Sequence, residues 1–528
     1  VPTRIQITVT VCVVLLTACS PPGAASPTTT NAVIPIRTPA ATRALPPAHT
    51  PTITLTPLPT LPPTPEVEIN DHTAALLPAF AGDAELFPAA TRYWIEVNVD
   101  FDPLGLTARL EGLARIRFTN PLEVALRDLV LMLWPNDSQY QATMTTGPAL
   151  IDGHLVQPEV ELGGIALRIR MPHALSAGKT LDLSLPFWIE VSQIHSVSPQ
   201  RFGIAEGVLI APTFYPLVPR LIDGEWQAEV APVWGDTTNS DIAFYHVEIT
   251  APGDFALVAS GTEIAREQDE DGNQRVVYVT GPMRDFAFAL GTLETESRNV
   301  GDVVLRAWVL PEHIDDLGKV LDAAAVQVRL LSEFIGPYPY VELDLVDAPG
   351  AFGGIEYPGL VFIGTLGTAG VVQPTVHEVA HQWFYGLIGG DQLHEPWLDE
   401  AAAAYSEVLY YEHTDGVGRA TGYLTDLRAL LRGHPDSTLP IGLSVGDYSS
   451  PGDYGLFVYS KGTLFFDALR REFGDRVFFE FMHIYYQQYR YQFAYARDFQ
   501  EVAEETCGRD LDEFFNLWVY QGGELPVP

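Results

Sequence analysis

Positive charge is what this 528-residue chain has least of: 30 lysines and arginines stand against 67 aspartates and glutamates, a formal net charge of −37. Only Lys179, Lys319 and Lys461 are lysines. So acidic a surface argues against nucleic acid as a partner and against attraction to anionic membrane surfaces. Cysteine is nearly as scarce. Cys12 and Cys19 fall in the N-terminal segment, which leaves Cys507 as the one thiol of the globular part and excludes an internal disulfide there. Long apolar runs are missing too. The uncharged stretch from Tyr357 to Val376 is broken by Pro358, Gly359, Gly364, Gly367, Gly370 and Pro374, so it reads as strand and loop instead of a membrane span.

The N-terminus carries an address. Arg4 precedes an apolar run from Ile5 to Leu16, too short to span a bilayer and suited to a signal peptide. Leu16-Thr17-Ala18-Cys19 resembles the bacterial lipobox. That resemblance implies loss of residues 1–18, a lipid on Cys19, and a protein lipid-anchored to a membrane of the cell envelope, outside the cytoplasm. An ordinary signal peptide cleaved near Ala18 is the alternative. Residues 19–70 read as a linker rich in proline and threonine, extended at about 3.1 Å per residue as polyproline II.

About 450 residues follow, comfortable for two domains. Residues 71–300 show short alternating strands, among them Tyr93–Val99, Arg115–Phe118, Leu181–Leu185, Tyr245–Ile249 and Arg275–Val279. They predict an all-β sandwich or large curved sheet. Residues 301–528 read as a mainly helical domain with a small sheet at its start: strands at Val303–Leu310 and Leu343–Val346, a helix from Ile314 to Ile335, and later helices at 459–473, 477–489, 496–505 and 511–520.

The chemistry concentrates in His377-Glu378-Val379-Ala380-His381, eighteen residues before Glu400. Histidines four apart on a helix differ by about 40° in azimuth, so both can reach one metal ion, with Glu378 beside it as a base. Pro374 fits the first turn of that helix and Gly386, Gly389 and Gly390 end it. Pro396 opens a second helix running to about Tyr411, whose antiparallel return brings Glu400 back as third ligand. Two histidines, a carboxylate and an open position for water form a zinc-peptidase arrangement, one Zn²⁺ per chain. Glu407, seven residues after Glu400 on the same face, is a candidate acceptor for a ligand histidine's N–H.

These motifs together resemble the aminopeptidase N-type zinc metallopeptidases, the gluzincin family that also contains leukotriene hydrolase. Gly353-Gly354-Ile355-Glu356-Tyr357 is similar to the family's Gly-x-Met-Glu-Asn exopeptidase motif. Trp397-Leu398-Asp399-Glu400 is similar to its Trp-Leu-Asn-Glu, and Tyr459-Ser460-Lys461-Gly462 to its Tyr-x-Lys-Gly. The resemblance implies an α+β multidomain fold, a saddle-like β domain followed by a thermolysin-like catalytic domain. It implies peptide hydrolysis, with Tyr459 as a donor to the oxyanion and Glu356 as the group that binds the substrate's ammonium. Gly353 and Gly354 would let the substrate backbone approach. The altered residues Ile355 and Tyr357, the lack of a second ammonium-binding residue around residues 211–216, and the lack of the large C-terminal helical domain of longer members loosen the exopeptidase expectation. An extracytoplasmic aminopeptidase therefore competes with an open-cleft endopeptidase or oligopeptidase and with a catalytically vestigial surface-binding lipoprotein.

Overall fold

The Thr180–Ser192 strand buries every second side chain, Leu181 through Val191, and this alternation fixes its face toward a core. In the computed structural model it belongs to a nine-stranded sheet. There it pairs with Thr107–Thr119, which pairs in turn with Thr91–Asp102, and the sheet continues through a parallel Ala243–Pro252 strand to Asn273–Val279 and Thr262–Gln268. Smaller sheets pack beside it, one of them built from Gly203–Ala205, Val208–Pro212, Ala287–Gly291 and Ala256–Ala259. The structure describes residues 69–525 apart from 193–200, 233, 237–238, 350–352 and 369. Cys19, the signal segment and nearly all of the proline-rich linker lie outside the described residues.

A five-stranded sheet leads into the helical part, in the order Glu294–Val300, Val303–Val309, Glu342–Asp347, Leu360–Ile363, Gly354–Ile355. The Val303–Val309 and Glu342–Asp347 strands are parallel, joined by the Ile314–Phe334 helix as a crossover. Against that helix lies the short helix Val372–Ala380, which carries the histidines. The Trp397–Thr414 helix returns beside it and is buried on nearly every face. Its Ala401–Ala404 run permits this: Gly462, opening the Gly462–Phe473 helix, sits so close that a Cβ there would lie 2.3 Å from the Ala401 Cβ.

The fold is the expected α+β arrangement of a β-rich domain followed by a helical one. Details differ. The first metal helix ends at Ala380, ahead of Gly386, and the chain continues through wider turns: Gly386 N–H donates to His381 C=O, and Leu387 N–H to Gln382 C=O. Tyr459 lies in a π-helical segment, Gly455–Lys461, instead of a regular helix. A helix over Val417–Arg432, not expected from the sequence, packs Leu424, Leu427 and Leu431 inward.

Candidate metal centre

His377 and His381 project from the end of the Val372–Ala380 helix toward Glu400 in the first turn of the return helix. Their Nε2 atoms are 3.1 Å apart, and Glu400 Oε2 lies 3.2 Å from one and 3.3 Å from the other. A tetrahedral zinc shell with bonds of about 2.0–2.1 Å has ligand–ligand edges of about 3.3 Å. The triangle therefore fits the ion without rearrangement, and the three residues form a site able to hold it. The other ring nitrogens are already committed. His377 Nδ1 faces Glu407 Oε1 at 3.1 Å, and His381 Nδ1 faces Asp399 Oδ1 at 2.5 Å. With Nδ1–H donated outward, each Nε2 presents its lone pair inward, the tautomer metal binding needs.

Glu407 is buried and braced from a second side by Tyr423 Oη, at 2.8 Å, and by Gln373 Nε2, at 2.8 Å. Tyr423 comes from the unexpected Val417–Arg432 helix. Asp399 is a site residue that sequence reasoning did not single out. Its signal was its place beside Glu400 in Trp397-Leu398-Asp399-Glu400.

Glu378 is buried against the edge strand. A Cβ on Gly354 would come within 2.3 Å of Glu378 Cγ, so Gly354 makes room for this carboxylate, while Gly353 faces open space. Burial pushes the Glu378 carboxyl up to about 7, against the pull of His377 and His381. Tyr459 lies over His377, ring centroids 5.6 Å apart, and its hydroxyl donates to Glu400 Oε1. Burial, reinforced by the Glu400 charge, raises its pKa well above that of a free phenol, so it stays protonated.

Glu356 follows the two-residue edge strand Gly354–Ile355. One of its carboxylate oxygens lies within 4.8 Å of a ring nitrogen of His381 and of an Asp399 oxygen. Gln382, the residue after the second histidine, holds this segment in place. Its Nε2 donates to Tyr357 C=O at 3.2 Å, and its Oε1 accepts from Gly359 N–H at 2.8 Å. Burial drives the Glu356 carboxyl well above its ordinary range, and the charge of Asp236 adds to that. Asp236 belongs to the β-rich part and is paired with buried Arg201 at 2.8 Å. No sequence pattern pointed to either residue. In the 211–216 segment, Thr213 and Tyr215 donate to Asp285, 2.8 and 3.0 Å away, and so serve the β core.

Comparison with known proteins agrees with this geometry. Residues 329–518 match the Peptidase family M1 domain. Aminopeptidase B of Rattus norvegicus is 27% identical over 311 residues, 53% of this chain and 46% of the rat protein. Aminopeptidase N of Lactococcus lactis subsp. lactis is 28% identical over 159 residues, 28% of this chain and 18% of that protein. The chain thus spans less than half the length of these relatives. An M1 zinc metallopeptidase from Deinococcus radiodurans has a similar fold, with a TM-score of 0.63 at 19% identity over 83% of this chain and 95% of that one. An α+β fold carrying two helical histidines and a downstream glutamate around one zinc defines a gluzincin-type site. Residues 329–518 thus carry a match to the Peptidase family M1 domain, and the chain is similar in sequence and fold to aminopeptidase N-like zinc metallopeptidases.

Proposed function

We propose that the protein is a zinc-dependent aminopeptidase that releases N-terminal residues from peptides outside the cytoplasm. The observation that carries this reading is Glu356, a carboxylate buried beside the metal triangle at the end of an edge strand. A peptide lying along Gly354–Ile355 adds to the sheet edge and brings its ammonium to Glu356, so that the first peptide bond meets the metal site. Bound zinc supplies Lewis acidity, polarising a carbonyl and acidifying a water. Glu378, poised near neutral pH, takes the attacking water's proton and passes it to the leaving amine. The protonated Tyr459 hydroxyl donates to the oxygen on which charge develops, a contribution of about 3 kcal/mol for such donors. A mutant of the Deinococcus protein has been solved with a Tyr-Ser-Ala substrate, which supports a peptide of this kind here.

The extracytoplasmic location rests on the lipobox-like Leu16–Cys19, with Cys19 as the anchor. Among the described residues no helix is long and apolar enough to cross a membrane. The deciding measurement is product analysis on one peptide in free and N-acetylated forms, with and without a chelator. The free peptide should shorten stepwise from its N-terminus, the blocked one should resist, and chelation should stop the shortening. Cleavage of the blocked peptide at an internal bond would replace this reading with an open-cleft endopeptidase.

A further inference from the structure

Gln392 stands in the loop between the two ligand helices, 3% exposed. Its amide nitrogen holds two carboxylates at once: Nε2 donates to Asp399 Oδ2 at 2.7 Å and to Glu356 Oε1 at 3.3 Å. Carboxylates accept, so the nitrogen faces them and the amide oxygen is left to another partner. That Oε1 is sealed from solvent and has no hydrogen-bond partner among the described residues. A buried acceptor without a donor is costly, and one fixed beside two carboxylates suits a donor that carries positive charge. Glu356, which Gln392 holds, already feels the negative charges of Asp236, Asp399 and Glu378, so a cation is the ligand this corner favours.

We infer that Gln392 completes the recognition of the substrate's α-ammonium. Its NH₂ group sets the Glu356 carboxylate, and its Oε1 accepts one of the ammonium's N–H bonds. The inference rests on the aminopeptidase reading and deepens it. Gln392 thus meets the ammonium directly and reaches the metal ligands only through Asp399. Its neighbour Asp399 also braces His381, so the same bridge ties the seat of the ammonium to the orientation of a zinc ligand.

The test compares wild type, Glu356→Gln and Gln392→Met on one peptide, free and N-acetylated, with zinc content measured for each. Methionine keeps the shape and removes both donor and acceptor. Gln392→Met should raise KM for the free peptide about tenfold, lower kcat less than about threefold, and cut the preference for free over acetylated peptide about tenfold. Zinc should remain at one per chain. Gln392→Asn keeps the amide but is one methylene too short to span both carboxylates, and it should fall between the two. An unchanged preference in Gln392→Met or Gln392→Asn overturns the inference, as does loss of zinc, which would make the residue a support for His381 alone. Failure of both variants to fold would likewise assign it to the framework. If wild type itself does not distinguish the two peptides, the aminopeptidase reading falls. If wild type distinguishes them and Glu356→Gln does not, that reading stands whatever the Gln392 variants show.

Discussion

Glu378 and Glu400 are buried carboxylates on adjoining helices, yet their neighbours send them in opposite directions. Burial raises both. For Glu400 the hydrogen bonds and charges of His377 and His381 overturn that and hold it well below the ordinary range, as a ligand requires, whereas Glu378 stays near 7. Glu378→Gln should therefore abolish hydrolysis while zinc stays at about one per chain, checked by activity and metal analysis. Tyr459→Phe should mainly lower kcat, because in the proposed reaction its hydroxyl acts once charge has developed. Glu356→Gln should mainly raise KM for free peptides, because in the proposed reaction it holds the ammonium in ground and transition states alike. Away from the zinc site, Asp285 is fully buried and pushed from 3.8 to about 7 despite donors from Thr213, Tyr215 and the Phe286 N–H. The folded protein then binds this proton more tightly than the unfolded chain, so its contribution to stability falls as pH rises from about 4 to about 7. Asp285→Asn should remove a few kcal/mol of that decline, visible as a flatter dependence of denaturation midpoint on pH.

At the scale of elements, the active geometry depends on how the edge strand meets the ligand helix. Gly354→Ala would place a methyl group where Glu378 lies, and kcat/KM should drop by about two orders of magnitude with zinc retained. Kinetics and metal content on the same preparation decide it. Much of this was legible in advance. The two ligand helices follow from their proline starts and helical spacing, and the seven-residue step from Glu400 to Glu407 from helical period. What was not legible has physical reasons. The Val417–Arg432 helix contains Gly418, Thr421, Gly422 and Thr425, poor helix formers that tertiary packing of Leu424, Leu427 and Leu431 overrides. The π-helical turn holding Tyr459 shows in no apolar spacing. It is held by tertiary contacts, including buried Lys461, which donates to the carbonyls of Ser437 and Leu439. Gln382, Gln392, Arg201 and Asp236 act across long sequence separations, where neither period nor motif gives a signal.

At the scale of the whole molecule, Arg284 is the rivet. It is 1% exposed and donates to the carbonyls of Tyr385, Ser240 and Gln492, so it joins the β-rich part to the segment after the ligand helix and to the C-terminal helices. Arg284→Met would remove a charged donor from each of those buried carbonyls, at about 1–3 kcal/mol each, and should lower the melting temperature by several degrees or more in a thermal scan. Cys19→Ser tests the proposed anchor. Fractionation should move the protein from membranes to the soluble phase without changing its peptidase activity.

The apolar core runs without a break from Leu76 in the β-rich part to Val519 near the C-terminus. The segment that matches the peptidase family begins at residue 329, inside the Ile314–Phe334 helix and after two of the five strands that carry the Glu356 edge. What is inherited as a recognisable block is therefore not what folds as one. A gene fragment cut at the borders of the resemblance would keep every zinc ligand and lose the walls that aim them, so a graft of this catalyst onto another protein must carry its β partner along.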